Sequence, residues 1–220
     1  MSGGRLTPLQ QRILRSLAGL SPGWTLTGGG ALAGFHLCHR ETRDLDLFWR
    51  DRPELGEVVP EALAALRRDG LAAVVLRTAP TFAQLRVADG PDVCVVDLVA
   101  EPFPSLEPPQ RVALGEASIA LDTRHEILVN KLTALLGRSE LRDLQDVQAL
   151  LGAGGDLEHA LADAPRKDGG FSALTLAWVL KGFEPAPLAR ALGWPDAQVA
   201  EIESFRQWLL DRLTAASAPG

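Results

Sequence analysis

Apolar residues change rhythm near residue 122 of this chain. Downstream they recur every three or four positions almost to the C-terminus, the spacing of helices that bury one stripe. Upstream they form short runs of strand length, interrupted by helical stretches. At the start, Thr7 and Pro8 read as an N-cap and a first helical position, with Leu9, Ile13, Leu14 and Leu17 on one stripe. Ser21-Pro22-Gly23 ends that helix, residues 24–27 form a short strand, and Gly28-Gly29-Gly30 turns the chain into a helix over 31–38. A second strand is expected over 44–49 and a helix over 53–68, with Leu55, Val58, Val59, Leu63 and Leu66 inward. Strands follow at 71–76, 82–87 and 93–99, the last two joined as a hairpin by Asp89-Gly90-Pro91-Asp92. Residues 101–109 read as a proline-rich loop and 117–121 as one more strand. Helices are then expected over 123–136, 141–151, 157–162, 172–179, 188–192 and 196–214.

These elements describe an α+β protein with a mixed β-sheet flanked by helices in residues 1–122 and an all-helical domain in residues 123–220. The sheet must be mixed, because a meander follows two strand–helix units and parallel strands need long crossovers. The 220 residues suffice for one ample core or two smaller ones.

Composition narrows the picture only a little. At 46% hydrophobic and 23% charged, the chain is ordinary for a globular protein. Its net charge of −6 argues against a domain-wide positive field of the kind that binds nucleic acid non-specifically. A local basic rim remains open to RNA, with Arg5, Arg12, Arg15, Arg40, Arg43, Arg50, Arg52, Arg67 and Arg68 as candidates. Cys38 and Cys94 both sit in apolar context and read as small core residues rather than a disulfide. With no leader-like segment and no apolar run of membrane-spanning length, a cytoplasmic chain is expected.

The chemistry concentrates in three places. Thirteen residues after the glycines comes Asp44-Leu45-Asp46. On a strand, residues i and i+2 share a face, so both carboxylates point one way while Leu45 and Leu47 pack on the other. Two like charges that close repel, and a bound Mg²⁺, which prefers hard oxygen ligands, relieves them. Asp97 lies inside the apolar run 93–99, which reads as buried on both faces, and there a carboxylate needs a partner or an ion. A neighbouring strand carrying Asp44 and Asp46 would bring it to the same metals; a wet strand end paired with an arginine is the alternative. The glycine turn suits an anion, since backbone N–H groups at a helix start bind phosphate and absent Cβ atoms allow close approach.

Gly28-x-Gly30-x-x-Ala33 also matches a dinucleotide fingerprint, but that motif expects its acid at the end of an apolar second strand, whereas Asp44 and Asp46 begin theirs. Lys131 falls on the apolar stripe of its helix between Leu128 and Leu135, where an ammonium needs an anion. Asp146, on the next helix, either pairs with Arg142 four residues earlier or orients Lys131. His36, Cys38 and His39 are poorly spaced on one helix for tetrahedral zinc.

Taken together, Gly28-Gly29-Gly30-Ala31-Leu32 and the run from His39 through Asp44-Leu45-Asp46-Leu47-Phe48 resemble the signature of the AbiEii/AbiGii-type nucleotidyltransferases. These are DNA-polymerase-β-like enzymes, many of them the toxin of a toxin–antitoxin pair. Lys131-Leu132-Thr133-Ala134-Leu135 with Arg138, then Arg142-Asp143-Leu144-Gln145-Asp146, resembles that family's lysine element, and Val96-Asp97-Leu98-Val99 its third-carboxylate strand. The similarity spans residues 24–151; Gly30 stands where the family tends to have threonine, and Thr42 where it tends to have serine.

The resemblance implies metal-dependent transfer of a nucleoside monophosphate from an NTP to an acceptor hydroxyl, releasing pyrophosphate. It implies Mg²⁺ or Mn²⁺ on Asp44, Asp46 and Asp97, nucleotide contacts from Gly28, Gly29, Gly30, Thr42 and Arg43, and Lys131 neutralising phosphate charge with Asp146 positioning it. The expected partners are an NTP, an RNA acceptor such as tRNA, and a cognate antitoxin protein. Two other readings stay open: transfer to a small molecule of the aminoglycoside kind, and a nucleotide sensor that has lost turnover.

Overall fold

The structure, a computed structural model, describes residues 4–217. The chain divides into two compact units, the first ending at Glu126 and the second beginning at Ile127.

Seven strands build the first unit: β1 (Thr25–Thr27), β2 (Asp44–Arg50), β3 (Ala72–Ala79), β4 (Phe82–Asp89), β5 (Asp92–Glu101), β6 (Gln110–Leu114) and β7 (Ala117–Leu121). They form one sheet in the order β3-β4-β5-β2-β1-β7-β6. The sheet is mixed, as expected: β2 runs parallel to β5 and β1 parallel to β7, while the remaining pairs are antiparallel. Because β1 and β2 are antiparallel, the dinucleotide reading of the glycines fails, since a Rossmann unit needs those strands parallel.

One face of the sheet is core. Leu45, Leu47 and Trp49 of β2 are buried beside Cys94, Val96, Leu98 and Ala100 of β5 and Ala83, Leu85 and Val87 of β4. Helix α1 (Pro8–Leu17) lies against β4, β5 and helix α3 (Val58–Arg68). It starts where its sequence says: Thr7 and Gln10 form a reciprocal capping box, and Leu9, Ile13, Leu14 and Leu17 are all buried.

Three expectations needed correction, and one strand lies where none was expected. The helix after β1 does not wait for residue 31: α2 (Gly28–Ala31) begins at the first glycine and continues as a π-type turn over Leu32–His36. Helix α3 starts at Val58 rather than residue 53, after Gly56 takes φ +53. Strand β6 lies between the expected loop over 101–109 and the expected strand over 117–121, where no element is predicted; only Leu114 of its five residues is buried, and pairing with β7 makes it a strand. Strand β5 is not buried on both faces: Val93 is 46% exposed, and Val95, Asp97 and Val99 are half-buried. The second face of the sheet is therefore partly open.

The second unit is helical. Helix α4 (Arg124–Arg138) crosses the division and leads into α5 (Leu141–Gly152), α6 (Leu157–Asp163), α7 (Ala173–Gly182), α8 (Pro185–Ala191) and α9 (Asp196–Ala216). Helix α9 packs on α5, α7 and α8 and buries Val199, Ile202, Leu209 and Leu213. Ser172 and Thr175 cap α7 reciprocally. Among the described residues, no helix is long and apolar enough to cross a membrane.

Candidate active site

Sheet register sets a row of polar side chains across the open face: Gln84 on β4, Asp97 on β5, Asp46 on β2 and Thr27 on β1 are consecutive ladder partners. Neighbouring strands lie about 4.8 Å apart, so Asp46 and Asp97 stand side by side although far apart in sequence. Asp44 shares their face, two residues earlier on β2, where half-buried and buried residues alternate strictly. Leu45 and Leu47 anchor the opposite face with no exposed surface, which fixes the direction of both acids.

The glycine turn is shaped around this row. Gly28 has φ +59, and a Cβ built there would collide with Oδ2 of Asp46. At Gly29 a Cβ would lie 2.9 Å from the Thr42 hydroxyl and 3.1 Å from an Arg40 nitrogen. Gly30 answers a different need: its Cβ would press on Leu26 and Leu45 at 3.1 Å, so smallness there lets the helix sit on the sheet. Gly28→Ala therefore meets both a left-handed backbone and an occupied space, and should lower stability by about 1–2 kcal/mol. Gly56→Ala is the control, with φ +53 but nothing within 4 Å of the added atom. In denaturant titration the Gly28 variant should lose clearly more than the Gly56 variant; equal losses would show that Asp46 does not fill the space.

Each flanking acid is held by a neighbour. Thr42 is buried and donates from Oγ1 to Asp44 Oδ1 at 2.9 Å, while Gln10 donates to the Thr42 carbonyl at 3.0 Å and ties this loop to α1. Gln84 Nε2 donates to Asp97 Oδ1 at 2.8 Å, and Arg77 Nε donates to Gln84 Oε1 at 3.2 Å. Arg43 is exposed beside the strand start. The sequence reading missed Gln84, yet a signal for it was present. Gly90 takes φ +58 and Pro91 fixes a negative φ, the combination of a two-residue type II′ turn between Asp89 and Asp92. Counting back equally along both strands from that turn reaches Gln84 opposite Asp97.

Arg50 belongs to the interior rather than to a basic rim. Its Nη2 lies 2.7 Å from Asp122 Oδ2 and 3.4 Å from Glu126 Oε1, its Nη1 is 3.6 Å from Glu101, and its guanidinium rests over the Phe48 ring at 4.9 Å. Burial pushes the Asp122 carboxyl up, with Glu126 adding to this, although Arg50 and Thr27 counteract it. His36 Nε2 contacts the Asp122 carbonyl at 2.8 Å, and burial holds that imidazole below its ordinary value. Nothing in the sequence spacing ties these residues together; only the sheet does. Arg12 is also engaged, pairing with Asp89 and the Asp69 carbonyl.

In the helical unit, Lys131 is buried as its stripe position required. Its Nζ lies 2.8 Å from Asp143 Oδ1 and 2.9 Å from Asp146 Oδ2. Asp146 thus takes up Lys131, and Asp143 joins it, a partner the spacing did not single out. Arg138 binds Asp143 as well, with Nε at 2.7 Å. Burial disfavours the charge on Lys131, but the carboxylates of Asp146 and Asp143 outweigh it and hold the amine above its ordinary value. Burial likewise opposes ionisation of Asp143, yet Arg138 and Lys131 keep its carboxyl below the usual range.

Both shifts stabilise the folded state over the same window. The depressed Asp143 contributes fully above its ordinary 3.8 and loses that contribution as pH falls through its lower folded value. The elevated Lys131 contributes below 10.5 and loses its share as pH rises through its higher folded value. Thermal unfolding followed against pH should show a plateau between these limits, and Asp143→Asn should lower the plateau and flatten its acid edge. An unchanged acid edge in that variant would contradict the assignment.

An uncapped glycine-led helix start beside three carboxylates, on the open face of a mixed sheet, is the arrangement of a nucleotidyltransferase fold. Residues 12–211 match the family model described as the AbiEii nucleotidyl transferase toxin of type IV toxin–antitoxin systems, and the chain belongs to that family. Among solved structures, one from H. pylori assigned as a nucleotidyltransferase is 18% identical with a TM-score of 0.56, covering 96% of each chain. JHP933 from Helicobacter pylori is also 18% identical, with a TM-score of 0.52 and coverage of 95% of this chain and 92% of that one. The antibiotic-resistance factor ANT(2'')-Ia is 15% identical, with a TM-score of 0.53 over 76% of this chain and 92% of that one. At these identities the structural likenesses establish the fold. No curated protein matches the chain significantly.

Proposed function

We propose that this chain transfers a nucleoside monophosphate from an NTP to the hydroxyl of an RNA acceptor, releasing pyrophosphate, as the toxin of a pair with a cognate antitoxin. The observation that carries this reading is the ladder pairing of Asp46 with Asp97, with Asp44 on the same face and Gly28 vacating the space at Asp46. That donor set suits a divalent cation in kind: three carboxylates share one half-open face, and hard oxygen ligands are what Mg²⁺ and Mn²⁺ take. Asp44, Asp46 and Asp97 would hold the metal, which supplies charge neutralisation across the triphosphate and a more acidic acceptor hydroxyl.

The remaining work falls to the chain itself. The first turn of α2 has no side-chain cap, so the N–H groups at Gly28, Gly29 and Gly30 suit phosphate oxygens. Thr42 keeps Asp44 in place, and Arg43 adds positive charge at the strand start. The acceptor oxygen attacks the α-phosphorus in line, its proton passes toward Asp97, and the bond to the β-phosphate oxygen breaks. Following the family resemblance, Lys131 neutralises phosphate charge, and its pairing with Asp146 holds the amine in one rotamer.

Incubation with each labelled NTP, Mg²⁺ and either total RNA or an aminoglycoside tests the proposal. Label in the RNA is the expected result. Label in the aminoglycoside alone would redirect the acceptor assignment to small molecules. Tight NTP binding without transfer to either would favour a sensor and overturn the enzyme.

A further inference from the structure

We propose that Gln84 is the positioning residue for Asp97, and that Arg77 acts through it by fixing which way its amide faces. This rests on the nucleotidyltransferase reading above. The two hydrogen bonds at Gln84 run in series: Arg77 Nε donates to Oε1 at 3.2 Å, and Nε2 donates to Asp97 Oδ1 at 2.8 Å. An amide carries an acceptor at one end and donors at the other. Between a guanidinium, which only donates, and a carboxylate, which only accepts when ionised, a single orientation satisfies both ends. The reverse orientation would put two donors together at Arg77 and two acceptors together at Asp97.

Backbone pairing sets the spacing. Arg77 opposes Gln84, which opposes Asp97, which opposes Asp46, so the relay lies in the same row as the acids. A bulge between Val75 and Arg77 on β3 brings Arg77 onto the face of Gln84. The Arg77 guanidinium also rests over the Phe82 ring at 5.6 Å, which steadies its end of the relay. Asp44 has its equivalent support from Thr42, so a separate polar neighbour orients each of the two outer carboxylates.

Outer-shell partners of this kind set ligand rotamers, and their loss typically costs about 10-fold or more in metal affinity or activity. Gln84→Met keeps the length of the side chain and removes the amide. In titrations of the full chain with Mn²⁺, read by the resonance of the free ion, this variant should bind about tenfold more weakly. Its kcat for label transfer should fall by a similar factor, with KM for the NTP within about twofold of the parent. Arg77→Gln, at an exposed position that leaves the fold alone, should shift both readouts the same way by about threefold. The double variant should match Gln84→Met alone, because in the proposed relay Arg77 acts on Asp97 through Gln84.

Parental Mn²⁺ affinity in Gln84→Met, or losses that multiply in the double variant, would overturn the inference. If the parent binds Mn²⁺ but transfers no label, the functional reading fails while the titration still judges Gln84. A parent that binds no Mn²⁺ overturns both.

Discussion

Asp46→Asn should lower nucleotidyl transfer by about a thousandfold or more, equivalent to about 4 kcal/mol of lost transition-state stabilisation. The size follows from where Asp46 sits. It neighbours both other acids, Asp97 as its ladder partner and Asp44 two residues earlier on its own strand, with Thr27 paired on its other side, and its carboxylate lies against Gly28. In the proposed reaction a carboxylate there would hold the metal that faces the triphosphate, and that reaction offers no covalent chemistry that could make up for its loss. Asparagine keeps the shape, so neither the Gly28 contact nor the buried flanks at Leu45 and Leu47 should be disturbed. The check is single-turnover transfer alongside an unfolding curve. Transfer should vanish while the unfolding midpoint holds, and retention of more than about a tenth of the parental rate would remove Asp46 from the chemistry.

Lys131→Met should destabilise the helical unit by about 3–5 kcal/mol, the scale on which one partner is lost from a buried ion pair. The lysine is buried, and Asp143 and Asp146 each have an oxygen within 2.9 Å of its ammonium. Methionine fills the space of the stem but leaves Asp146 without this cation; Arg138 still neutralises Asp143. The double variant Lys131→Met with Asp146→Asn should recover part of the loss, because it removes the charge left behind as well as the charge that balanced it. Denaturant unfolding of the four proteins closes the cycle. If the double variant is as unstable as the sum of the singles, the pair does not couple and the buried network has been misread. The same set reports on function: a Lys131 that also neutralises phosphate charge leaves the rescued double variant stable yet inactive.

The helical unit was legible because apolar residues recur at helical spacing along α4 and α5, and local spacing is all that a helix requires. Lys131 stood out for the same reason, as a cation on an apolar stripe. The directions of Asp44 and Asp46 could be read from strand alternation, since one face of β2 is fully apolar. The hairpin of β4 and β5 followed from its turn residues. Less was legible where burial is slight: β6 offers one buried side chain, and the helix start at Gly28 runs against the low helix propensity of glycine. The two faces of β5 were misjudged because a run of valines looks the same whether one side or both are covered.

By itself, then, the sequence determined the order of the elements other than β6, the shared face of two acids and the family signature, all of which depend on neighbours a few residues apart. Only the tertiary structure decided that Asp97 stands next to Asp46, that Gln84 and Arg77 stand behind it, and that Arg50 is enclosed by Asp122 and Glu126 rather than offered to a ligand. Those relations come from strand pairing across long stretches of chain, and the interaction that selects a pairing register is burial of the opposite, apolar face. The polar row is placed by leucines it never touches.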